Sequence, residues 1–140
     1  MYCFYAIFIF FFVCLPQAKA NHRNGKYTVQ VYDGLPNGTP TPKLRVHCYS
    51  GDDDIGYHDL SSDQDLTWSF KFNQSPFSGT LFACHFWWGN KDKSFEVFND
   101  YDNCVMGSFI PKTNFCKWIP KEDGIYLGDD KGNSYKYVEW

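Results

Sequence analysis

Long helical patterns are missing from this sequence. Across its 140 residues, no stretch repeats apolar side chains at the three- and four-residue intervals of an amphipathic helix. Aromatic residues make up 21% of the chain, and many of them alternate with polar residues in short runs. Alternation at period two is typical of strands with one buried face. The sequence therefore favours an all-β fold.

The motifs of several chemistries are also missing. There is no Gly-x-Ser-x-Gly elbow for a serine nucleophile and no Cys-x-x-Cys pair for zinc. Basic residues are not in excess, because the formal net charge is -3. Nucleic acids and anionic lipids attract basic surfaces. We predict no catalytic residue, no metal ligand and no cofactor, and we expect partners among proteins or glycans, with no nucleic acid.

One long apolar run is present, at the amino terminus. Residues 4–15 are almost wholly apolar and are followed by Pro16, and Ala-Lys-Ala at 18–20 has the small-x-small pattern of a cleavage site. We predict a signal peptide over residues 1–20 and a secreted, extracellular domain over residues 21–140, with no membrane insertion after cleavage. No Lys or Arg precedes the apolar run, and an uncleaved anchor is the rival interpretation.

Cysteines support an extracellular setting. Four remain after the predicted signal peptide, namely Cys48, Cys84, Cys104 and Cys116. An even number in a secreted chain predicts two disulfides. Three pairings are possible, and the sequence alone does not choose among them.

Strand-like runs recur along the rest of the chain. In the clearest, residues 66–72, apolar and polar side chains alternate strictly. Turn residues separate the runs. We therefore predict a small antiparallel β-sandwich of about eight short strands, two disulfides and a monomeric state. The runs are 27–33, 43–48, 66–72, 80–88, 94–98, 115–119, 124–127 and 134–138.

The stretch after Cys48 concentrates acids and a histidine. Three interpretations are open. Aspartates shape tight turns by accepting backbone N–H bonds, exposed acids contact partners, and a histidine beside carboxylates suits a metal or acid/base site. The spacing does not match a calcium loop. We predict an exposed turn and partner-binding loop containing Asp52, Asp53, Asp54, His58 and Asp59.

Other features allow two interpretations. His47 and His85 should each face away from the neighbouring cysteine. Two sequons, at Asn37 and Asn73, make the protein a candidate glycoprotein, although a proline follows each. An aromatic set is expected to lie mostly in the core and otherwise to form a binding platform, with the terminal Trp exposed. This set is Trp87, Trp88, Tyr135, Tyr137 and Trp140.

Ordered motifs resemble a known plant family, the self-incompatibility S1 proteins, also called S-protein homologues. The resemblance covers about residues 27–127 and implies small secreted proteins with a β-sandwich-like fold and two disulfides. It also implies extracellular signalling without enzymatic activity. In one system a stigma-secreted member meets a pollen-surface receptor and triggers rejection of self pollen. The motifs are Val46-His47-Cys48, Asp52-Asp53-Asp54-Ile55-Gly56, Trp68-Ser69-Phe70-Lys71-Phe72, Thr80-Leu81-Phe82, Phe95-Glu96-Val97-Phe98, Cys116-Lys117-Trp118 and Asp123-Gly124-Ile125-Tyr126.

One departure concerns the last two cysteines. They often lie close together in the family, whereas eleven residues separate Cys104 from Cys116 here, so no connectivity is carried over. We expect a secreted signalling ligand of the S1 type that binds a cell-surface protein receptor. The contact loops would be 51–59, 89–93, 99–103 and 129–133. The alternatives are a small secreted hydrolase that uses His58 and a defence or toxin-like protein.

Overall fold

The computed structural model describes residues 3–4, 13–14, 26–37, 42–71, 80–99, 114–129 and 131–140. Every regular element in these ranges is a strand, and none of the described residues forms a helix that could cross a membrane. Cys104, Asn73, the predicted cleavage site and nearly all of loop 99–103 lie outside them. The strands are β1 Cys3–Phe4, β2 Val13–Cys14, β3 Lys26–Tyr32, β4 Leu44–Tyr49, β5 Asp54–Leu60, β6 Asp65–Lys71, β7 Leu81–Trp88, β8 Lys91–Asn99, β9 Phe115–Lys121, β10 Gly124–Gly128 and β11 Ser134–Val138.

Nine of these strands form two sheets, and the two-residue strands β1 and β2 pair with each other. The five-stranded sheet has the order β11-β10-β9-β3-β6, and the four-stranded sheet has the order β5-β4-β7-β8. Neighbours pair antiparallel except β3 and β9, which run parallel. The prediction of an all-β sandwich is confirmed, with this parallel pair as a departure from a purely antiparallel arrangement.

The core lies between the two sheets. Alternate residues of β3, β4, β7 and β9 point inward, as on β3, where Val29 and Val31 are fully buried. Aromatic rings connect the sheets, with Phe70 of β6 4.6 Å from Phe82 of β7 between ring centroids. The Trp118 indole of β9 is also buried and donates its N–H to the Val97 carbonyl of β8 at 3.0 Å. Period-two burial thus explains why the sequence alternates.

One strand was not expected from the sequence. Residues 54–60 form β5, an edge strand of the four-stranded sheet, and the loop predicted over 51–59 is wrong for most of its length. Gly56 has φ +88° and sits where the pairing with β4 shifts register after Cys48. A positive φ suits glycine because it has no Cβ. This irregularity interrupts the period-two alternation, so the sequence pattern did not predict the strand.

Candidate functional site

A tight turn carries the first two aspartates of the acidic stretch. The Ser50 amide donates to the Asp53 carbonyl at 2.7 Å, and the Asp53 amide donates to the Ser50 hydroxyl at 3.0 Å. Asp52 and Asp53 are both exposed. Within the described ranges, neither carboxylate accepts a hydrogen bond or joins an ion pair. The turn therefore presents two hydrated negative charges at the entry to β5.

Asp54 has a structural role. Its Oδ1 accepts a hydrogen bond from the Gly56 amide at 2.9 Å and contacts His47 Nε2 at 2.8 Å. The Gly56 N–H, followed by His47, lowers the pKa of the Asp54 carboxyl. Both contacts favour the ionised form of the acid. Asp54 thus shapes the bulge at Gly56, as the turn interpretation of the acidic stretch requires.

The histidine of the acidic stretch does not join its acids. His58 is half-buried, and its Nε2 lies 2.9 Å from the Ile55 carbonyl oxygen. Asp59 instead pairs with Arg45 of β4, at 3.1 Å between Nε and Oδ1. The residues of the predicted loop therefore do not form one group. His58 lies opposite the buried Val46 on β4, whereas Asp59 lies opposite the exposed Arg45. No acid/base pair forms between His58 and the acids.

Two other histidines do meet carboxylates. His47 and His85 occupy directly opposed positions on β4 and β7. His47 contacts Asp54 of β5, and His85 Nε2 contacts Asp92 Oδ2 of β8 at 2.8 Å. Both lie on the face away from Cys48, as the alternation predicted, but their carboxylate partners could not be read from the sequence because they depend on strand register.

Aromatic rings pack on these histidines. The Tyr57 ring stacks on His47 with centroids 4.1 Å apart, and the Trp87 ring stacks on His85 at 3.7 Å. Tyr57 and Trp87 themselves lie 6.0 Å apart, with planes 26° from parallel. Tyr57 is 62% exposed. The result is an ordered ring cluster on the outside of the four-stranded sheet, defined here as the outer ring cluster (His47, Tyr49, Tyr57, His85 and Trp87).

The disulfide lies directly beneath this cluster. Cys48 and Cys84 are opposed on β4 and β7, both buried, and are bonded to each other. Cys116 is also disulfide-bonded. Of the three pairings that the sequence left open, the structure contains the one that joins Cys48 to Cys84. This bond ties together the two strands that carry the histidines.

The proposed platform of tryptophans and C-terminal aromatics does not form as one unit. Trp87 belongs to the outer ring cluster, whereas Trp88 packs near Trp140, with ring centroids 6.2 Å apart. Tyr137 packs on the core, 4.9 Å from Trp118. The expectation that Trp140 is exposed is wrong, because its side chain is half-buried and its indole N–H donates to the Lys121 carbonyl at 2.7 Å.

The remaining predicted loops are short. In the stretch 89–93 only Gly89 and Asn90 form the turn, since β8 begins at Lys91. In the stretch 129–133, Asp129 accepts hydrogen bonds from the amides of residues 131 and 133, so it shapes the turn. Asn37 is exposed after β3. Among the residues that the structure describes, no three His, Cys, Asp or Glu side chains gather as a metal site would require.

Comparisons with known proteins identify relatives of this arrangement. Residues 28–140 match the family described as plant self-incompatibility protein S1. S-protein homolog 2 of Arabidopsis thaliana is 30% identical over 110 residues, which cover 79% of this chain and 65% of that protein. S-protein homolog 11 of the same plant is 31% identical over 134 residues, covering 94% and 87%. S-protein homolog 3 is 44% identical over 75 residues, covering 54% and 47%. The chain thus spans about half to two thirds of the length of two of these relatives.

A solved structure shares the fold. It is described as an SPH (Self-Incompatibility Protein Homologue) protein from a widespread family of small, highly stable, secreted proteins from plants. The TM-score is 0.58 at 16% identity, and the match covers 84% of this chain and 96% of the other. At that identity the likeness concerns the fold alone.

Proposed function

Because this chain belongs to the plant self-incompatibility protein S1 family, we propose that it is a non-catalytic extracellular ligand that binds a cell-surface protein receptor. It is a secreted protein of the self-incompatibility type. The apolar run at residues 4–15, the Cys48–Cys84 disulfide and the description of the solved neighbour all agree with secretion. Recognition of pollen by pistil, with rejection of self pollen, is the role that the family name suggests.

The exposed turn at Asp52 and Asp53 carries this proposal. Its two carboxylates have no partner in the described part of the chain, and the hydrogen bonds of Ser50 hold the turn in one shape. A preformed turn loses little conformational entropy on binding. Exposed charges also steer a partner of opposite sign during encounter. These properties suit a ligand whose receptor presents a basic patch.

A binding experiment tests the proposal. The tagged secreted protein is incubated with intact cells of pollen, pistil and leaf, and cross-linked partners are recovered. The Asp52→Asn/Asp53→Asn protein should keep its fold and bind less, with a slower association rate. Glu122→Gln is a matched control, because Glu122 is also an exposed acid in a tight turn. Unchanged binding of the double variant would remove the acidic turn from the interface, and no saturable binding to any cell would refute the ligand role.

The hydrolase alternative has little geometric support. A general base must reach a proton on its substrate and is usually oriented by a second group. His58 instead contacts a backbone carbonyl and is half-buried. Loss of a hydrolytic activity in His58→Ala, at unchanged stability, would revive this alternative. The defence or toxin-like alternative predicts leakage of liposomes, which an acidic protein should not cause with anionic lipids.

Oligomeric state and glycosylation belong to the same proposal. We propose that the protein is a monomer and that any N-glycan it carries is attached at Asn37 or Asn73. Light scattering on the secreted protein measures the mass of the particle, and mass spectrometry before and after glycosidase treatment locates any glycan. Expression restricted to leaf or root would separate this copy from pollen recognition while leaving the ligand role intact.

A further inference from the structure

The face that carries the outer ring cluster holds more acidic than basic side chains in the described strands. The register places four carboxylates on this face of the four-stranded sheet, and the only lysine or arginine that the described strands place there is Arg45. The four acids are Asp54, Asp59, Asp92 and Glu96. A face with rings at its centre and excess acid around them attracts cationic groups.

The protein itself shows how such a face holds a cation. The Arg45 guanidinium lies 5.7 Å from the centre of the Tyr57 ring and pairs with Asp59 at 3.1 Å. The guanidinium is therefore held by an aromatic ring and a carboxylate together. Trp87 and Tyr49 have no cation above them within the described residues, although Asp92 and Asp54 lie nearby on the same face. The combination of a ring and a carboxylate is thus repeated there, with His47 and His85 in place of Lys or Arg beside the carboxylates.

On the outer face of the five-stranded sheet, tyrosine rings already have cationic side chains of the same chain next to them. Lys117 lies 4.9 Å from the Tyr32 ring centre, and Lys121 lies 4.4 Å from that of Tyr126. Its tyrosines are matched by lysines of the same chain. Among the described strands, the outer face of the four-stranded sheet combines aromatic rings with four acids and one arginine, so the two faces are not equivalent as binding surfaces.

We propose that the outer ring cluster, with Asp54 and Asp92 at its sides, binds an arginine- or lysine-rich segment of a partner protein. This inference rests on the proposed function, because it extends the receptor contact from the Asp52–Asp53 turn to the adjoining face of the four-stranded sheet and names the chemistry of the receptor segment. Tryptophan, tyrosine and arginine dominate the energetics of protein interfaces. The disulfide beneath β4 and β7 and the stacking of the rings keep the surface preformed.

The test titrates isotope-labelled secreted protein with an octa-arginine peptide and follows the amide and indole signals by NMR. We expect the largest shifts at His47, Tyr57 and Trp87, and an affinity that falls with added salt. Trp87→Ala should weaken peptide binding by about tenfold or more, as expected for a central aromatic contact. Tyr126→Ala, on the opposite face, is the matched control and should change the affinity by less than about twofold.

Several results would overturn the inference. They are absence of octa-arginine binding at low salt, shifts confined to the five-stranded sheet, and equal affinity of Trp87→Ala. Because Trp87→Ala removes a large side chain and can disturb the fold, Asp92→Asn provides a second variant, which should weaken binding while the core signals stay unchanged. A neutral cello-oligosaccharide is titrated in parallel. Binding of this sugar at Trp87 in place of the peptide would assign the surface to glycans and refute a cationic partner.

Cell binding separates this inference from the proposed function. If native protein binds cells and Trp87→Ala binds equally well, the ligand role stands and the surface is wrong. If native protein binds no cells while octa-arginine still shifts the cluster, the surface stands and the ligand role fails. The two proposals therefore fail on different measurements.

Discussion

The two sheets share one core but are stabilised differently. In the four-stranded sheet a buried disulfide joins β4 to β7, and His–Asp contacts cross from β4 to β5 and from β7 to β8. In the described part of the five-stranded sheet, hydroxyl and amide side chains and lysine–tyrosine contacts connect the strands. Examples are Thr28 with Ser69 at 2.8 Å between hydroxyl oxygens and Gln30 Nε2 donating to Asp65 at 3.2 Å.

This difference indicates separate tasks for the sheets. Polar pairs on an exposed face are individually replaceable, because each contributes little in water. The four-stranded sheet has a covalent cross-link, opposed histidines and stacked rings, and together these fix its side-chain arrangement more closely. These features are more than packing requires, since the rings point away from the core. The four-stranded sheet is therefore the one whose outer face we expect to carry recognition.

The largest expected effect comes from breaking the disulfide. Cys48→Ala/Cys84→Ala removes a bond that spans 36 residues of chain. In the chain-entropy description, a loop of this length is worth about 4 kcal/mol of folding free energy. Urea unfolding followed by fluorescence measures the loss. We also expect hydrogen exchange to accelerate more at amides of β4 and β7 than at amides of β3 and β6. Uniform acceleration would mean that the two sheets unfold as one unit and would weaken the contrast between them.

A smaller effect is expected where the sheets meet. Trp118→Phe removes the indole N–H that reaches the buried Val97 carbonyl and leaves a small cavity. Losing this bond and the associated packing should cost about 2 kcal/mol. Thermal unfolding of the variant measures the change, and Trp140→Phe is a control, since its indole also donates to a backbone carbonyl but is only half-buried. An equal loss in both variants would show that burial between the sheets adds nothing.

Sequence alone was sufficient for most of the sandwich and insufficient for the site. Strands with strict alternation, such as β6, could be predicted because burial of one face imposes period two. β5 could not, since Gly56 breaks the alternation and four acids surround it. The contacts of His47 with Asp54 and of His85 with Asp92 each span seven residues. They follow from strand register, which the hydrophobic pattern does not reveal residue by residue.

The acidic stretch illustrates the same limit. Its density of acids and its histidine correctly drew attention to this part of the chain. Proximity in sequence then suggested His58 as the partner of the acids, whereas strand geometry directs adjacent side chains to opposite faces. The histidine that meets Asp54 comes from the preceding strand. The turn interpretation and the histidine contact could be combined only once β4 and β5 were paired.

The smallest expected effect is a difference between the two sheets in how an aspartate of each changes folding stability with pH. Asp33, at the end of β3, is 2% exposed, and burial raises the pKa of its carboxyl, while the Leu35 amide that donates to it at 2.8 Å opposes this change. A raised pKa in the folded state means that stability is greatest below the unfolded pKa and declines as pH rises through the folded pKa. Asp33→Asn keeps an oxygen for the Leu35 N–H and removes the buried charge. We expect this variant to be at least as stable as the parent at neutral pH, with the difference vanishing in acid.

Asp54 should show the opposite behaviour in the four-stranded sheet. Its pKa is lowered, by the Gly56 N–H and then by His47, so its contribution is present above the unfolded pKa and is lost as pH falls through the folded pKa. Asp54→Asn should therefore be less stable than the parent at neutral pH and should converge with it in acid. The comparison uses the urea midpoints of both variants between about pH 2.5 and 7, a range that brackets the ordinary titration of aspartate. Curves of the same sign for Asp33→Asn and Asp54→Asn would contradict it, because burial and hydrogen bonding act on the charged carboxylate in opposite directions.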